Sequence, residues 1–460
     1  MKAIIMNGGK GTRMSKHFPG TPKCMLSMYG ETVLEMQIKN LSKHNVDDII
    51  IVTDSKTYNY ISEHDIVGKA LQVDGLAARY GVNIRYVVED VHDAYKGTAS
   101  SLFKLCETDK YLKDDEDFLL IFGDIIFEMK LENFMNFHKN KKHRSDNHIV
   151  TLVTHPSSHM FDSDLVLTDD YDETHINIIR KKNNPLFSSF YKNLTSSGIY
   201  CMNSSIFKNE RIKHMIDEFS LQNNGKADVS DLLYVAKSLI EMYSYKTHEY
   251  IKDMGTPERF KEVKHDILVN IPTRKSVFPP AIFLDRDGTI NEIEHGKFVN
   301  SSEDLVLYKY SAEAIKIFNS LGYLVIIVTN QGGISEGYMT EETLNYIHEK
   351  LETELGNKGA YVDDIFYCPH MGGCLCRKPN IGMITEAAKK YDIDLDNSWF
   401  IGDSTVDMKT GENAGLQTIL LKSGVGGKDK KYEIKPDHIF KDLLKAAKFI
   451  KKINKYWFMS

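Results

Sequence analysis

Residues 283–291 read Phe-Leu-Asp-Arg-Asp-Gly-Thr-Ile-Asn, and the four apolar residues from Ala281 to Leu284 lead into them as a short buried strand. That strand delivers Asp285 and Asp287 to its C-terminal end, with Gly288 opening a tight turn behind them. Two carboxylates one residue apart at a strand end suit phosphoryl transfer. One can attack phosphorus while the other handles a proton, and a bound Mg²⁺ screens their repulsion. The bland alternative is an acidic surface turn.

Three further segments downstream decide between these two. Val325–Val328 ends in Thr329-Asn330-Gln331, Arg377-Lys378-Pro379 precedes a helical pattern, and Phe400-Ile401 ends in Gly402-Asp403-Ser404-Thr405-Val406-Asp407. The chemistry asks for each of them: a hydroxyl and an amide to grip phosphate oxygens, a lysine to join nucleophile and phosphate, and a carboxylate to complete a Mg²⁺ shell. Strands at 281–284, 323–328, 363–367, 398–401 and 416–421 alternate with helices at 310–321, 340–355, 380–391 and 404–414, the βα series of a parallel sheet.

Working toward the N-terminus, Pro272, Pro279 and Pro280 surround a polar stretch, and 266–280 is read as a linker. Residues 1–265 form a second α/β unit, with strands at 2–6, 49–53, 84–88 and 118–122 and helices at 32–44 and 98–107. Less regular strands near 148–153, 164–168, 176–180 and 197–202 predict a mixed-sheet extension. The phosphoryl-transfer half is assigned to 281–430, and 431–460 is expected to be a helical tail packed on it. A chain of 460 residues is too long for one core, so two α/β domains agree with its length.

The first strand runs into Asn7-Gly8-Gly9-Lys10-Gly11-Thr12-Arg13, with Pro22-Lys23 following. Three glycines in a strand-to-helix turn let backbone N–H groups approach a triphosphate, and Arg13 and Lys23 can neutralise its oxygens. Gly123-Asp124 ends the strand at 118–122, at the sheet edge where open α/β sheets bind ligands. Asp253 offers a second carboxylate, and two such groups on one Mg²⁺ would activate an α-phosphate. Taken alone, Asp253 reads equally well as a turn or cap residue.

Cysteine usage separates into two groups. Cys24, Cys106 and Cys201 are scattered and read as reduced core thiols, whereas Cys368, His370, Cys374 and Cys376 form a C-x-H-x₃-C-x-C set directly before Arg377. Three sulfurs and one imidazole within nine residues match a closed tetrahedral Zn²⁺ site. With every position filled by protein, such a site clamps the loop that carries Arg377 and Lys378 and does no chemistry itself. A net charge of −6 gives no reason to expect nucleic acid, and no apolar run approaches a membrane span. The chain is expected to be cytoplasmic; oligomeric state is left open between monomer and homo-oligomer.

On these motifs the first half resembles the sugar-1-phosphate nucleotidyltransferases over nearly all of 1–265: G-G-x-G-T-R with P-K, Gly-Asp after the fourth strand, Gly97-Thr98-Ala99, and D-x-G-T-P around Asp253. The resemblance implies that Gly8 and Gly97 to Ala99 contact the base. It gives the triphosphate to Gly9, Gly11, Thr12, Arg13 and Lys23, and Mg²⁺ to Asp124 and Asp253. Ser197 and Gly198 match the sugar-contacting strand, and Lys181 a lysine near the sugar phosphate, although Arg180 and Lys182 replace the family's usual Glu and Pro there. Asn7 stands where the family has a small apolar residue. The implied reaction is in-line attack of a sugar phosphate on a nucleoside triphosphate with release of pyrophosphate.

The second half resembles the haloacid-dehalogenase-type phosphatases across about 280–425, without a large cap. The resemblance makes Asp285 the nucleophile of an aspartyl phosphate and Asp287 the general acid/base. It gives Thr329, Asn330 and Lys378 to the phosphate, and Asp285, the Asp287 backbone carbonyl and Asp403 to Mg²⁺, with Asp407 supporting Lys378 or Asp403. The zinc loop and C-R-K-P narrow the likeness to the D-glycero-D-manno-heptose 1,7-bisphosphate 7-phosphatases and the histidinol phosphatases. Only the former makes a sugar 1-phosphate for the first half to use. The pair therefore implies consecutive steps of nucleotide-activated heptose synthesis, with GTP as donor. Alternatives are another sugar bisphosphate with CTP, UTP or ATP, histidinol-phosphatase-like activity in the second half, or a scaffold with decayed sites.

Overall fold

The structure is a computed structural model and describes residues 1–7, 12–63, 73–90, 96–107, 110–143, 148–169, 172–180, 190–293 and 298–457. Two compact units emerge from the packing: 1–154, 164–181 and 196–268 form the first, and 155–163, 182–195 and 269–460 the second.

The first unit is organised by Lys2–Met6, whose last four residues are all buried. This strand lies parallel between Asp48–Asp54 and Asp117–Phe122, with Ile4 paired to Ile50 on one side and to Leu120 on the other. Near-continuous Ile and Val runs are what a parallel strand covered on both faces requires. The sheet reaches nine strands because Thr195–Asn203 adds antiparallel beside Asp117–Phe122 and carries the irregular strands beyond it. Ile125–Glu128 pairs with Tyr250–Asp253 in a separate antiparallel ribbon, with Asp253 opposite Ile125. The two acidic positions 124 and 253 thereby become neighbours, and the Met254 N–H donates to the Asp124 carbonyl at 3.0 Å. Gln37, 1% exposed, donates its amide to the carbonyls of Phe122 (2.9 Å) and Ile125 (2.8 Å) and pins the turn that carries Asp124.

The second unit contains a six-stranded sheet in the order 364–368, 324–330, 280–284, 394–402, 417–421, 438–440. All five pairings are parallel. Pro280–Leu284 is fully buried near its centre, so Asp285 emerges at the middle of the C-terminal edge. The three-residue edge strand His438–Phe440 escapes the alternation pattern because it is too short to show a period. The helix Leu443–Trp457 buries Leu443, Ala446, Ala447 and Ile450 in the same core as Ile282 and Leu284. Within 266–280, residues Ile271–Val277 form a helix, and Lys275 reaches the buried Asp363 at 3.7 Å.

Residues 155–163 and 190–195 belong to the second unit although they lie within the first half of the chain. Their anchor is the helix Glu341–Gly356, which a threonine N-cap starts: Thr340 accepts from the Thr343 N–H. The Thr353 hydroxyl accepts from the Tyr191 N–H at 2.8 Å and donates to the Tyr191 carbonyl at 3.2 Å. The Asn193 N–H donates to the buried Glu352 carboxylate. Met160, wholly buried, packs so closely on Gly356 that a Cβ there would meet its sulfur at 2.3 Å. Thr353→Val keeps the shape but removes both hydrogen bonds that Thr353 makes to the Tyr191 backbone in a buried site, a loss of about 1–3 kcal/mol. Differential scanning calorimetry of the full chain should show one transition lowered by roughly 2–10 °C; an unchanged thermogram would contradict this seating.

Candidate active sites

In the second unit, four strand and helix ends converge on Asp285. The ammonium of Lys378, itself 6% exposed, sits 2.6 Å from Asp285 Oδ1 and 2.6 Å from Asp407 Oδ1. Asp407 caps the helix Thr405–Asn413 reciprocally with Ser404: its Oδ2 accepts from the Ser404 N–H at 3.1 Å and from the Ser404 hydroxyl at 2.6 Å. Carboxylate oxygens of Asp285, Asp403 and Asp407 all lie within 4.8 Å of one another. Burial pushes the Asp285 carboxyl well above the usual carboxylate range; Lys378 opposes that rise, and Asp407 and Asp287 add to it. Asp403 is pushed up for the same reasons, burial first and then Asp285 and Asp407. Burial alone would lower the Lys378 ammonium's affinity for its proton, but the two carboxylates it bridges outweigh burial and raise it. Three buried carboxylates against one lysine leave excess negative charge, and an all-oxygen donor set of this kind fits a hard divalent cation.

Asp287 stands apart from that cluster. Its Oδ1 accepts from Arg286 Nε (3.0 Å) and Asn291 Nδ2 (3.0 Å), and its Oδ2 from Arg286 Nη2 (2.9 Å) and Gln331 Nε2 (3.0 Å). Burial favours its neutral form, yet the Arg286 guanidinium and these donors hold the carboxyl below its ordinary range. Gln331 also donates to the Thr329 hydroxyl at 2.8 Å. The Asn330 amide bonds the Lys378 backbone in both directions, accepting from its N–H at 3.0 Å and donating to its carbonyl at 3.3 Å. Asn330 thus reaches the site as a brace for the lysine.

The Cys368, His370, Cys374 and Cys376 ligand atoms gather within 4.8 Å of one another, a set able to hold a metal ion. Sulfur–sulfur separations of 3.1 to 3.5 Å exclude a disulfide and approach the edge lengths of a thiolate tetrahedron. The Arg377 guanidinium donates to the His370 carbonyl at 2.6 Å, which ties the loop to the residue before Lys378.

In the first unit, Lys23 Nζ lies 2.9 Å from Asp124 Oδ2, so the predicted phosphate-binding cation and metal-binding carboxylate are in contact. Asp253 is gripped by Arg259, whose Nη1 lies 2.7 and 3.0 Å from its two oxygens, and its Oδ1 also accepts from the Gly255 N–H at 2.9 Å. Arg13 comes to the same place: its Nη2 would stand 3.7 Å from a Cβ on Gly255. Gly97 has φ +99°, and a Cβ there would strike the Ala227 carbonyl at 2.3 Å, so glycine is required. Thr98 is bonded through its N–H (3.1 Å) and hydroxyl (3.3 Å) to Asp228. The Ser197 hydroxyl is buried and has no hydrogen-bond partner among the described residues, and Gly198 has φ +81° beside Phe122. Gly8, Gly9, Gly11, the Thr12 side chain and Lys181 lie outside the described residues.

Arg286, Gln331, Asn291, Arg259 and Gln37 were missed in the sequence. Each sits one to six positions from a recognised residue or, for Gln37, inside an amphipathic helix, and nothing in spacing distinguishes such a polar residue from a solvated one. One glycine gives a direct check on the cluster. A Cβ on Gly424, at φ +53°, would lie 2.1 Å from Asp403 Oδ2, which now accepts from the Val425 N–H at 2.5 Å. Gly424→Ala should displace Asp403 and reduce phosphate release from a phosphomonoester roughly 10²-fold or more, while pyrophosphate release is unchanged. Equal phosphate release would show that Asp403 is not needed where it stands.

Comparison with known proteins places each half of the chain in a family. Residues 2–270 match the Nucleotidyl transferase family, and residues 375–446 the HAD-hydrolase-like family. The chain is 39% identical over 153 residues to the D-glycero-beta-D-manno-heptose-1,7-bisphosphate 7-phosphatase of Pasteurella multocida, covering 31% of this chain and 82% of that protein. It is 40% identical over 141 residues to the D-glycero-alpha-D-manno-heptose-1,7-bisphosphate 7-phosphatase of Campylobacter jejuni, covering 31% of this chain and 81% of that one. A crystal structure of the B. bronchiseptica D,D-heptose 1.7-bisphosphate phosphatase with magnesium and phosphate shares 33% identity over 38% of this chain and 99% of its own, at a TM-score of 0.36. With the Lys378 bridge closing one sheet edge and the Lys23–Asp124 pair the other, the chain belongs to the nucleotidyl transferase family and, over its C-terminal third, to the family of these heptose bisphosphate phosphatases.

Proposed function

We propose that the chain is a bifunctional enzyme of nucleotide-activated heptose synthesis. Residues 281–430 remove the C7 phosphate of D-glycero-D-manno-heptose 1,7-bisphosphate, and residues 1–265 transfer GMP from GTP to the resulting heptose 1-phosphate. The observation that carries this reading is the 39% identity to a heptose bisphosphate phosphatase in a chain whose other half is a nucleotidyl transferase. A 1-phosphate left by the first reaction is the nucleophile that the second consumes. Relatives named for the alpha and the beta anomer match almost equally, so anomer and base form one question for experiment.

In the phosphatase centre, Asp285 Oδ attacks phosphorus, and the P–O bond to the sugar breaks as Asp287 supplies a proton to the leaving oxygen. Water then attacks the aspartyl phosphate, giving its proton back to Asp287 and releasing inorganic phosphate. Lys378 joins nucleophile and phosphate, and Thr329 offers a hydroxyl to its oxygens. The carboxylates of Asp285 and Asp403 and the Asp287 carbonyl would hold Mg²⁺, which supplies charge neutralisation at the transferring phosphoryl group. In the transferase centre, Arg13 and Lys23 neutralise the triphosphate, while Asp124 and Asp253 would hold a second Mg²⁺. Alignment and charge neutralisation drive the attack, without a covalent intermediate. Both reactions use phosphorylated cytoplasmic metabolites, and we assign the enzyme to that compartment.

The test is a panel of both heptose bisphosphate anomers with GTP, CTP, UTP and ATP, in which phosphate and pyrophosphate are measured separately. Asp285→Asn should lower phosphate release by about 10³-fold or more and leave pyrophosphate formation from heptose 1-phosphate intact; Asp124→Ala should do the reverse. If either variant is fully active in its own reaction, that centre is misassigned.

We further propose that the Cys₃His set holds Zn²⁺ and stiffens the loop leading into Lys378. Elemental analysis of the purified chain should find about one zinc, and Cys374→Ser should lose it together with most of the phosphatase turnover. A metal-free loop in a fully active enzyme would refute the assignment.

A further inference from the structure

Arg286 is the largest wholly buried side chain described, and it stands between the two reacting aspartates in sequence. A guanidinium presents five N–H donors and no acceptor, so each of its edges needs a partner in a dry interior. Two nitrogens, Nε and Nη2, form a fork on Asp287. The third, Nη1, points at Nε2 of His348, 3.3 Å away on the helix Glu341–Gly356. His348 is 7% exposed, and its ring lies 6.0 Å from that of Tyr367. Only a neutral imidazole with a bare Nε2 can accept from a guanidinium. Burial first, and the neighbouring Arg286 charge second, keep this histidine deprotonated well below its usual range. Since Arg286 can only donate, Nε2 of His348 is the acceptor of this bridge.

We propose that His348 is a positioning residue for the phosphatase reaction: it holds Arg286, and through Arg286's fork the Asp287 carboxyl, at the angle from which Asp287 delivers its proton to the leaving oxygen. This rests on the phosphatase reading above and adds to it a residue that touches neither substrate nor nucleophile. Asn291 and Gln331 each contribute one further hydrogen bond to Asp287. They restrain its oxygens singly, whereas the Arg286 fork sets the plane of the carboxyl, and that plane depends on what anchors the far side of the guanidinium. Protonating Asp287 forces at least one of its four donors to yield, so a fork held from behind keeps the acid in place while it carries its proton.

The leaving group gives the readout. A sugar alkoxide cannot depart without a proton, whereas p-nitrophenolate can. The quantity kcat/KM reports events up to the first irreversible step, phosphoryl transfer to Asp285, and excludes later hydrolysis of the aspartyl phosphate. In the full chain, His348→Leu should lower kcat/KM for heptose bisphosphate about 10- to 100-fold and for p-nitrophenyl phosphate by far less. His348→Gln, whose side-chain oxygen can accept from Nη1, should recover most of the loss. Pyrophosphate formation by the first half monitors the integrity of each preparation. Should the leucine variant fail to fold, Arg286→Lys, which keeps the charge and loses the fork, carries the same leaving-group test. Equal losses on both substrates, or a glutamine variant no better than leucine, would reduce His348 to a packing residue and overturn the proposal; an unchanged leucine variant would do so too. If the wild-type chain releases phosphate from neither substrate, the phosphatase reading itself fails, and the two failures are thereby distinct.

Discussion

A single ammonium group holds the phosphatase unit's site together. Lys378 is inserted between Asp285 and Asp407 at 2.6 Å from each, in surroundings where a lone charge of either sign would be costly. Around it the rest is arranged as support. Asn330 bonds both backbone groups of Lys378, Ser404 ties down the far oxygen of Asp407, and the cysteine–histidine loop ends one residue before the lysine's neighbour Arg377. Because Asp403 adds a third carboxylate, the lysine does not neutralise the cluster. That residual charge gives a divalent cation a reason to bind, and Asp403 keeps its place only because Gly288 and Gly424 beside it carry no Cβ.

The two aspartates of the Asp-Arg-Asp segment acquire opposite character from their surroundings. Asp285 sits among other carboxylates and is pushed toward its neutral form, while Asp287 is surrounded by four donors, two from Arg286, and is held ionised. A nucleophile must be ionised and an acid protonated, so each carboxyl needs a change in the charge around it, which a divalent cation at Asp285 and a phosphoryl group beside Asp287 would supply. The N-terminal centre follows a different plan. Its acidic positions are brought side by side by a two-stranded ribbon, and each already faces a cation, Lys23 for Asp124 and Arg259 for Asp253.

Much of this was legible along the chain because both sheets are built from near-continuous apolar strands that end in reactive residues. Ala281–Leu284 before Asp285, Val325–Val328 before Thr329 and Phe400-Ile401 before Asp403 each announce a strand and its functional tip together. The cysteine spacing was equally readable, since three thiols and an imidazole within nine residues need no long-range fold to meet. Short or polar elements were not readable. His438–Phe440 has too few residues for a period, and 155–163 with 190–195 carry no composition that assigns them to the second unit.

The sequence by itself determined which carboxyl, hydroxyl and ammonium groups stand at strand and helix ends, because hydrophobic periodicity and side-chain chemistry are local properties. Tertiary structure alone decided what restrains them: Asn330 on the lysine backbone, Arg286 between Asp287 and His348, Arg259 on Asp253, and Thr353 on Tyr191. Those partners are separated by up to 162 positions or hidden among ordinary polar residues. Their roles follow from burial and hydrogen-bond geometry, and neither is set until the chain has closed around them.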